Sequence, residues 1–258
     1  MGPIVGFGGI RVASDQLAAL NQSLDDLCRT KYEFPQGEEF KWSPSRSSWM
    51  ARNIRGARAT SLFQDIANTL ARHDVVATVI ASEETGLKAV REEFARIRTV
   101  KYYLERVQQQ CARRNTKAFA VVDKPGGGAK SETKFLARCA EIVDTGTFWV
   151  TFSHMSHGLL AADSRSSRVL QAADLVTSVT IAMVAGRTKY AQSVFDLIVP
   201  LLDSSGGRVQ GYGLKIDPDQ TYCNLYHWLL GTNRMWYGSS GLHLPARNRP
   251  YATHPMLR

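Results

Sequence analysis

Two apolar runs separated by one long helical pattern constrain this chain more than any other feature of its sequence. The run VVATVIA, Val75 to Ala81, is apolar without alternation, as in strands that are covered on both faces. From about residue 84 to 115 apolar residues recur at helical spacing, and a second apolar run, Ala118 to Val122, follows. This order predicts an α/β fold in which helices flank a sheet.

An acidic residue, Asp123, ends the second apolar run. Ligands of open α/β sheets bind outside the carboxyl ends of the strands, so Asp123 is a candidate catalytic residue. The next segment, KPGGGAKS, carries Lys124 and Lys130, which we expect to contact a nucleic acid. Ala129 separates its glycines from Lys130, whereas a Walker loop requires adjacent Gly-Lys-Ser/Thr. We interpret it as a turn before a short helix, with nucleotide binding as a further alternative.

A second acidic position lies inside the apolar helical stretch RVLQAADLVTS, Arg168 to Ser178. Asp174 falls close to the face that Leu170 and Ala173 predict to be buried. A half-buried carboxylate stays ionised when a cation or hydrogen-bond donors pair with it, and a shared divalent metal is one such partner. A helix whose Asp simply reaches solvent is the other interpretation.

The chain before Val75 supplies further candidates. A strand with three glycines is predicted from Ile4 to Val12, followed by an amphipathic helix, and then Glu39 and Lys41 lie in the sequence EFKW. Four arginines surround Trp49, and this mixture suits a groove for phosphates with an apolar platform, although a solvated helix face explains it equally well. These arginines are Arg46, Arg52, Arg55 and Arg58.

After Asp123 the pattern predicts a strand in TFWVTF, residues 147–152, and a connecting segment before the helix that carries Asp174. Asp163 and Ser164 lie at the end of this connection, where a helix cap, a turn or a metal site would each suit them. A helix to about Leu202, a strand near 208–216, a helix near 219–230 and an irregular tail follow. We predict one domain over residues 1–202 and a C-terminal helical and irregular extension, residues 203–258, packed on it.

The composition narrows the class of protein. The net charge of +9 favours a polyanionic partner such as a nucleic acid. The four cysteines are far apart and show no CxxC pair, so neither a disulfide framework nor a cysteine zinc site is indicated. No apolar run is long enough to span a membrane. We therefore expect a soluble, cytoplasmic protein without a membrane partner.

The order of four motifs resembles the domain of unknown function 3800 family, a branch of the RNase H-like superfamily. These motifs are EFKW at residues 39–42, AVVD ending at Asp123, ADS at residues 162–164 and LQAADL at residues 170–175. The resemblance runs from the start of the chain to about Arg187. It implies a mixed α/β sheet flanked by helices, with acidic residues that converge on one or two Mg²⁺ or Mn²⁺ ions.

The resemblance also implies roles for individual residues. The acidic positions match Glu39, Asp123 and Asp174, the basic residue after the glutamate matches Lys41, and the glutamine matches Gln171. We add Asp163 as a further candidate metal ligand and Ser164 as a supporting residue. Members of the family begin with a strand ending in Asp-Glu-Ser-Gly, and this sequence begins at what resembles the following strand. We expect either an upstream start, or a lost strand whose exposed sheet edge a protein partner, a second copy of the chain or a rearranged segment would cover.

Two functional hypotheses follow. The first is a nuclease that uses carboxylate-held divalent metal to hydrolyse phosphodiester bonds in DNA or RNA. The alternative is a catalytically inactive RNase H-like module that binds nucleic acid or a protein partner.

Overall fold

The computed structural model describes residues 3–83, 90–156, 159–219, 221–232, 234–237, 240–243 and 250–251. The helices are α1 (Leu17–Asp26), α2 (Trp49–Asn53), α3 (Ala57–Arg72), α4 (Val90–Arg114), α5 (Ala129–Thr145), α6 (Arg168–Val184), α7 (Thr188–Ile198) and α8 (Cys223–Leu230). The strands are β1 (Ile4–Arg11), β2 (Val76–Glu83), β3 (Val121–Asp123), β4 (Leu160–Ala162), β5 (Leu214–Asp217), β6 (Arg234–Tyr237) and β7 (Ser240–His243). The prediction of a mixed α/β fold is confirmed.

The main sheet contains three strands in the order β1-β2-β5. β1 and β2 are antiparallel, so that Arg11 lies opposite Val76, and β2 and β5 are parallel, with Ser82 beside Asp217. The central strand β2 is buried along almost its whole length, which explains the absence of alternation in its sequence. Among the described residues, no strand pairs with the other edge of β1.

Glycines in β1 let helices approach both faces of this strand. A Cβ atom at Gly8 would lie 2.6 Å from Thr177 Oγ1 of α6, and one at Gly9 would lie 2.5 Å from the Tyr103 hydroxyl of α4. Both distances are shorter than a real Cβ atom tolerates. Glycine at these positions therefore sets the close packing of α6 on one face of the sheet and of α4 on the other.

The larger hydrophobic core lies between the main sheet and helices α1, α3, α6 and α7. Leu20 of α1, Ile66 of α3 and Phe195 of α7 are fully buried in it. Val176 and Val179 place the middle of α6 in the same core. The helix that carries Asp174 therefore runs through the centre of the molecule, and its position is fixed by packing on several sides.

The second sheet has two parallel strands, in which Val121 of β3 pairs with Leu160 of β4 and Asp123 pairs with Ala162. It belongs to a smaller core that α4 and α5 complete. The buried members of this core are Val100, Leu104, Cys139, Phe152, Met155 and Leu159. Because α4 contacts both the main sheet and this smaller core, it connects the two parts of the molecule.

The segment 147–152 forms a turn and a loop, so the predicted strand is wrong. Gly146 adopts a φ of 77°, and the Thr147 amide donates to Val150 O at 2.8 Å, which closes a turn. Thr147 Oγ1 also accepts hydrogen bonds from the amides of Trp149 and Val150. Phe148 and Trp149 consequently lie 88% and 77% exposed. These local hydrogen bonds override the strand preference of the aromatic and β-branched residues.

Other element boundaries also differ from the sequence prediction. β3 contains only Val121–Asp123, and the helix after the glycine-rich turn is long, Ala129–Thr145. β4 arises within the segment that was interpreted as a connection. The predicted start of the long helix, residues 84–89, lies outside the described residues.

Residues after 202 contribute to the same sheet and the same core. β5 pairs with β2, and α8 buries Leu225 and Tyr226. β6 and β7 form an antiparallel pair, while most of the predicted irregular tail lies outside the described residues. Within the described part of the chain, no helix is both long and apolar enough to cross a bilayer.

Candidate functional site

One small cavity of about 90 Å³ is lined by most of the residues that the sequence predicts to be catalytic, metal-binding or supporting. It is lined by Phe40, Lys41, Asp123, Ser164, Gln171 and Asp174. Phe40 and Lys41 come from the irregular segment before α2, Asp123 ends β3, and Ser164 begins a short 3-10 turn after β4. α6 supplies Gln171 and Asp174, so four separate parts of the chain meet at this cavity.

Ser164 joins two of the carboxylates. Its backbone amide donates to Asp123 Oδ1 at 3.1 Å, and its hydroxyl donates to Glu39 Oε1 at 2.7 Å. The other carboxylate oxygen of Glu39 lies 3.0 Å from Lys41 Nζ. Glu39 therefore lies beside the cavity and is bound to two of its lining residues, and hydrogen bonds to charged oxygens hold it firmly in this orientation.

Gln171 connects three elements beneath the cavity. Its Nε2 donates to Ser164 O at 2.7 Å, and its Oε1 accepts from the Phe40 amide at 3.3 Å and from Arg168 Nη1 at 2.9 Å. Arg168 Nη1 also donates to Glu38 O at 2.8 Å. Because Gln171 is only 2% exposed, these bonds satisfy polar groups that water does not reach.

Arg168 is a site residue that the sequence interpretation missed. Its side chain is 8% exposed, and its Nε donates to Asp25 Oδ1 at 3.1 Å. A basic residue in the first turn of a helix lies at the positive end of the helix dipole, which is an unfavourable place for it. That local conflict is the sequence signal that indicates a specific role for Arg168.

Electrostatics at the cavity are dominated by three carboxylates and one ammonium group. Asp174 is exposed, as in the alternative of a helix whose Asp reaches solvent, yet its position beside the protein surface removes water from part of the carboxyl group and raises its pKa. The charges of Asp123 and Glu39 raise it further, whereas the Ser178 hydroxyl, 3.3 Å away, and Lys41 lower it. The hydrogen bond to Glu39 and the surrounding carboxylates raise the pKa of Lys41, which therefore stays protonated at neutral pH.

The donor types at this site fit a hard divalent cation, because carboxylate and hydroxyl oxygens are the ligands that Mg²⁺ and Mn²⁺ prefer. In the described residues no three His, Cys, Asp or Glu side chains are arranged as a ready-made metal site. The oxygens of Glu39 instead accept from Lys41 and Ser164. A metal ion at Glu39 would share the carboxylate with Lys41 or displace its ammonium group.

Asp163 does not line the cavity, contrary to its expected place among the candidate ligands. Its carboxylate receives Arg165 Nη2 at 2.6 Å, Arg165 Nε at 3.1 Å and the Arg165 amide at 3.0 Å. These bonds lower the pKa of the exposed Asp163 to about 2. Asp163 therefore caps the 3-10 turn, while the neighbouring Ser164 faces the acidic residues.

The predicted nucleic-acid-binding residues are all exposed: Arg46, Arg52, Arg55, Arg58, Lys124 and Lys130. Two of them are engaged by neighbouring groups. Arg55, between α2 and α3, donates from Nε to Ala51 O at 2.7 Å, and Arg58 pairs with Glu33 at 2.9 Å.

Trp49, the candidate apolar platform among these arginines, packs against the Phe34 ring with 4.9 Å between the ring centres. It is partly buried against the larger core. The structure therefore does not present Trp49 as an open stacking surface.

No family model, no curated protein and no solved structure matches the chain.

Proposed function

We propose that this chain is a metal-dependent nuclease that hydrolyses phosphodiester bonds in DNA or RNA, with an RNase H-like arrangement similar to the domain of unknown function 3800 family. One observation carries the proposal: Asp123 and Asp174 line the same cavity, and Glu39 is bound to two further lining residues, Lys41 and Ser164. A cluster of carboxylates with one cation at a concave site suits the cleavage of a phosphate ester.

The carboxylates of Glu39, Asp123 and Asp174 are the groups that would hold Mg²⁺ or Mn²⁺. When bound, such an ion lowers the pKa of water and neutralises charge on the phosphate. A cation at this position also offsets the burial and the like charges that raise the pKa of Asp174. The donor chemistry and the electrostatics of the cavity support the same conclusion.

The remaining residues of the cavity have roles that follow from their contacts. Lys41 carries an exposed ammonium group that is suited to a non-bridging phosphate oxygen. Ser164 holds the carboxylates of Asp123 and Glu39 by hydrogen bonds, and Gln171 holds the backbone of Ser164. These bonds keep the reacting groups in a fixed orientation. The exposed side chains of Arg46, Arg52, Lys124 and Lys130 are available to neighbouring phosphates.

An inactive module that binds nucleic acid or a protein partner is the second candidate function. One specific observation favours it: the described residues contain no preformed group of three metal-binding side chains, and Lys41 already neutralises Glu39. In that case the cavity would be an inherited structural feature, and the chain would bind a strand without hydrolysing it.

Cleavage of labelled DNA and RNA strands separates the two functions. We expect hydrolysis with Mg²⁺ or Mn²⁺ and none in a chelator, and we expect Asp123→Asn and Asp174→Asn each to reduce the rate by at least about 100-fold, the upper range for partners of metal ligands. Asp196→Asn is the matched control, because Asp196 is exposed on α7 and accepts only from Gln192 in the described contacts. Cleavage that survives both site variants would contradict the nuclease proposal, and strand binding without turnover by the unaltered chain would support the inactive module.

A further inference from the structure

A cluster of arginines lies where β1 and α4 end. Arg11 is the last residue of β1, and Arg113 and Arg114 close α4. Arg208 lies in the turn before β5. The guanidinium carbons of Arg113 and Arg208 lie 4.7 Å and 5.7 Å from the ring centre of Tyr212. We call these five residues the arginine cluster.

Among the described residues, one buried carboxylate, that of Asp203, pairs with the centre of this cluster. Asp203 is 3% exposed and pairs with Arg113, while its Oδ1 lies 3.9 Å from Arg114 Nη2. Its amide donates to Ala77 O at 2.9 Å, which fixes it to the start of β2. Arg11, Arg113 and Arg114 therefore share one negative charge, and the centre of the cluster keeps an excess of positive charge.

Arg11 shows the imbalance most clearly. Burial and the neighbouring Arg114 lower the pKa of Arg11, with Asp203 acting in the opposite direction. Arg11 Nε is buried and has no hydrogen-bond acceptor among the described residues. Cations at the end of a helix are stabilised by its dipole, and this explains Arg113 and Arg114. It does not explain a strand residue with a buried, unpaired donor.

The arginine cluster and Asp174 of the carboxylate cavity lie towards the same half of β1. A Cβ atom at Gly6 would meet Ile181, and one at Gly8 would meet Thr177, so α6 runs antiparallel to β1. Asp174 is nearly one helical turn further along, and a turn of about 5.4 Å corresponds to between one and two strand residues. Asp174 is therefore roughly level with Gly9 and Ile10, in the half of β1 that ends at Arg11.

The two sites occupy opposite faces of the sheet. Gly8 faces α6, whereas Gly9 faces α4, and side chains alternate along a strand. Arg11 therefore lies on the α4 side, with Arg113 and Arg114, while Asp174 lies on the α6 side. The edge of β1 between the two faces carries no strand in the described part of the chain.

We propose that the arginine cluster binds phosphate groups, and that it holds the backbone of a nucleic-acid strand that crosses the edge of β1 from the carboxylate cavity. This inference rests on the proposed function for the identity of the strand. The planar guanidinium group presents paired donors that match two phosphate oxygens, and a phosphate supplies the missing negative charge. Arg11 and Arg114 are the principal contacts, because Arg113 is already engaged by Asp203.

Binding is measured by fluorescence anisotropy with single-stranded DNA and RNA in a chelator, over a range of salt concentrations. The double variant Arg11→Met with Arg114→Gln is expected to weaken binding by about tenfold and to lower the slope of log affinity against log salt by about 1.4, since each lost contact on a single strand removes about 0.7. The control is Arg138→Gln with Lys189→Gln, which removes the same charge from α5 and α7. Equal affinities and slopes for the two double variants would overturn the inference.

The variants keep Arg113, so that the buried Asp203 stays paired and the fold is not expected to be lost. Removal of Arg11 relieves charge repulsion, and its variant is expected to melt no lower than the unaltered chain. Arg114→Gln alone, at a side chain that is 45% exposed, repeats the test if the double variant fails to fold. Failure of strand binding by the unaltered chain, together with no thermal shift by inorganic phosphate, would also overturn the inference.

Inorganic phosphate and a strand are distinguished in the same experiment. A thermal shift by phosphate that the double variant loses, without any effect on strand affinity, would assign the site to free phosphate groups and reject the strand. Because the chelator prevents metal-dependent turnover, strand binding is judged independently of the nuclease proposal. Loss of cleavage with strand binding intact would contradict only the proposed function.

Discussion

Asp174 is the residue at which folding and the proposed chemistry conflict. It lies on a helix whose neighbouring positions are buried in the larger core, and it faces Asp123 and Glu39. Burial and these like charges raise its pKa, so the folded chain disfavours the ionised form. A site that concentrates negative charge in this way is less stable alone than with a further cation, as the proposed metal site requires.

Asp174→Asn is therefore expected to stabilise the fold at neutral pH. Since the folded pKa lies above the unfolded value, the favourable contribution of the protonated carboxyl is complete below the unfolded pKa of about 4 and is lost as pH rises through the folded pKa. The variant should melt about 1–2 °C higher at pH 7, the scale of a partly exposed substitution in a chain of this size. The difference should vanish near pH 3.

Thermal unfolding between pH 3 and pH 8 checks this expectation in the absence of divalent metal. Asp196→Asn, on the exposed side of α7, provides the comparison for a carboxylate outside the cavity. A higher melting temperature for the unaltered chain at pH 7 would mean that Lys41 and Ser178 compensate the charge of Asp174 in full.

Single residues show what the sequence was able to predict about the site and what it was not. The helical period placed Asp174 next to a buried face, and the strand end marked Asp123, because both signals are local. The choice between Asp163 and Ser164 depended on contacts across 41 and 125 positions, from Ser164 to Asp123 and Glu39. Local sequence patterns do not reveal such contacts. Arg168 was missed for the same reason, because its contacts with Asp25 and Glu38 O join distant parts of the chain.

At the scale of elements, α6 connects the segment before α2 to the 3-10 turn after β4. The Gln171 side chain makes this connection through its hydrogen bonds to the Phe40 amide and to Ser164 O. Replacement by Met preserves the size of the side chain and removes both bonds, so that buried backbone groups lose their partners. We expect Gln171→Met to lower the free energy of unfolding by about 2 kcal/mol, within the usual cost of unsatisfied buried groups.

Gln192→Met is the matched control, since Gln192 is exposed and donates only to Asp196 among the described contacts. Urea denaturation of both variants measures the difference. The Gln171 variant should shift the midpoint without changing the slope, and the control should stay within about 0.5 kcal/mol of the unaltered chain. Equal stability of the two variants would show that the elements meet by packing alone.

The elements themselves were predicted with uneven success, and the differences have physical causes. Long periodic helices and the buried strand β2 followed from hydrophobic patterns over many residues. The predicted strand at 147–152 failed because Gly146 and Thr147 close a turn there. β4 was missed because a three-residue strand gains its identity from pairing with β3, almost 40 positions earlier in the chain.

At the scale of the whole molecule, the two cores differ in size and in how completely their apolar side chains are buried. The larger core spans the main sheet and most helices, whereas the smaller core includes strands of three residues each. Phe119, Val121 and Leu160 are exposed on or beside those short strands. A region with fewer buried contacts opens at lower free energy than the rest of a molecule.

Hydrogen exchange should therefore separate the two regions. We expect amides of residues 117–156 outside α5 to exchange through openings at least about 2 kcal/mol below those of β2 and α6, because the latter lie in the larger core. Asp123 belongs to the less stable region, while Glu39 and Asp174 belong to the more stable one. A metal ion shared by these three carboxylates would connect the regions, and at 100 times its dissociation constant it would contribute about 2.7 kcal/mol to the states that retain the site.

Mg²⁺ or Mn²⁺ should accordingly slow exchange around Asp123 in the unaltered chain, with a smaller effect in Asp174→Asn. The variant retains the difference between the two regions, because that difference comes from packing and not from the ion. Uniform exchange throughout the chain would contradict the expected difference in stability. Protection that is independent of both metal and Asp174 would mean that the carboxylates meet for structural reasons, and the inactive module would then be the better account of the cavity.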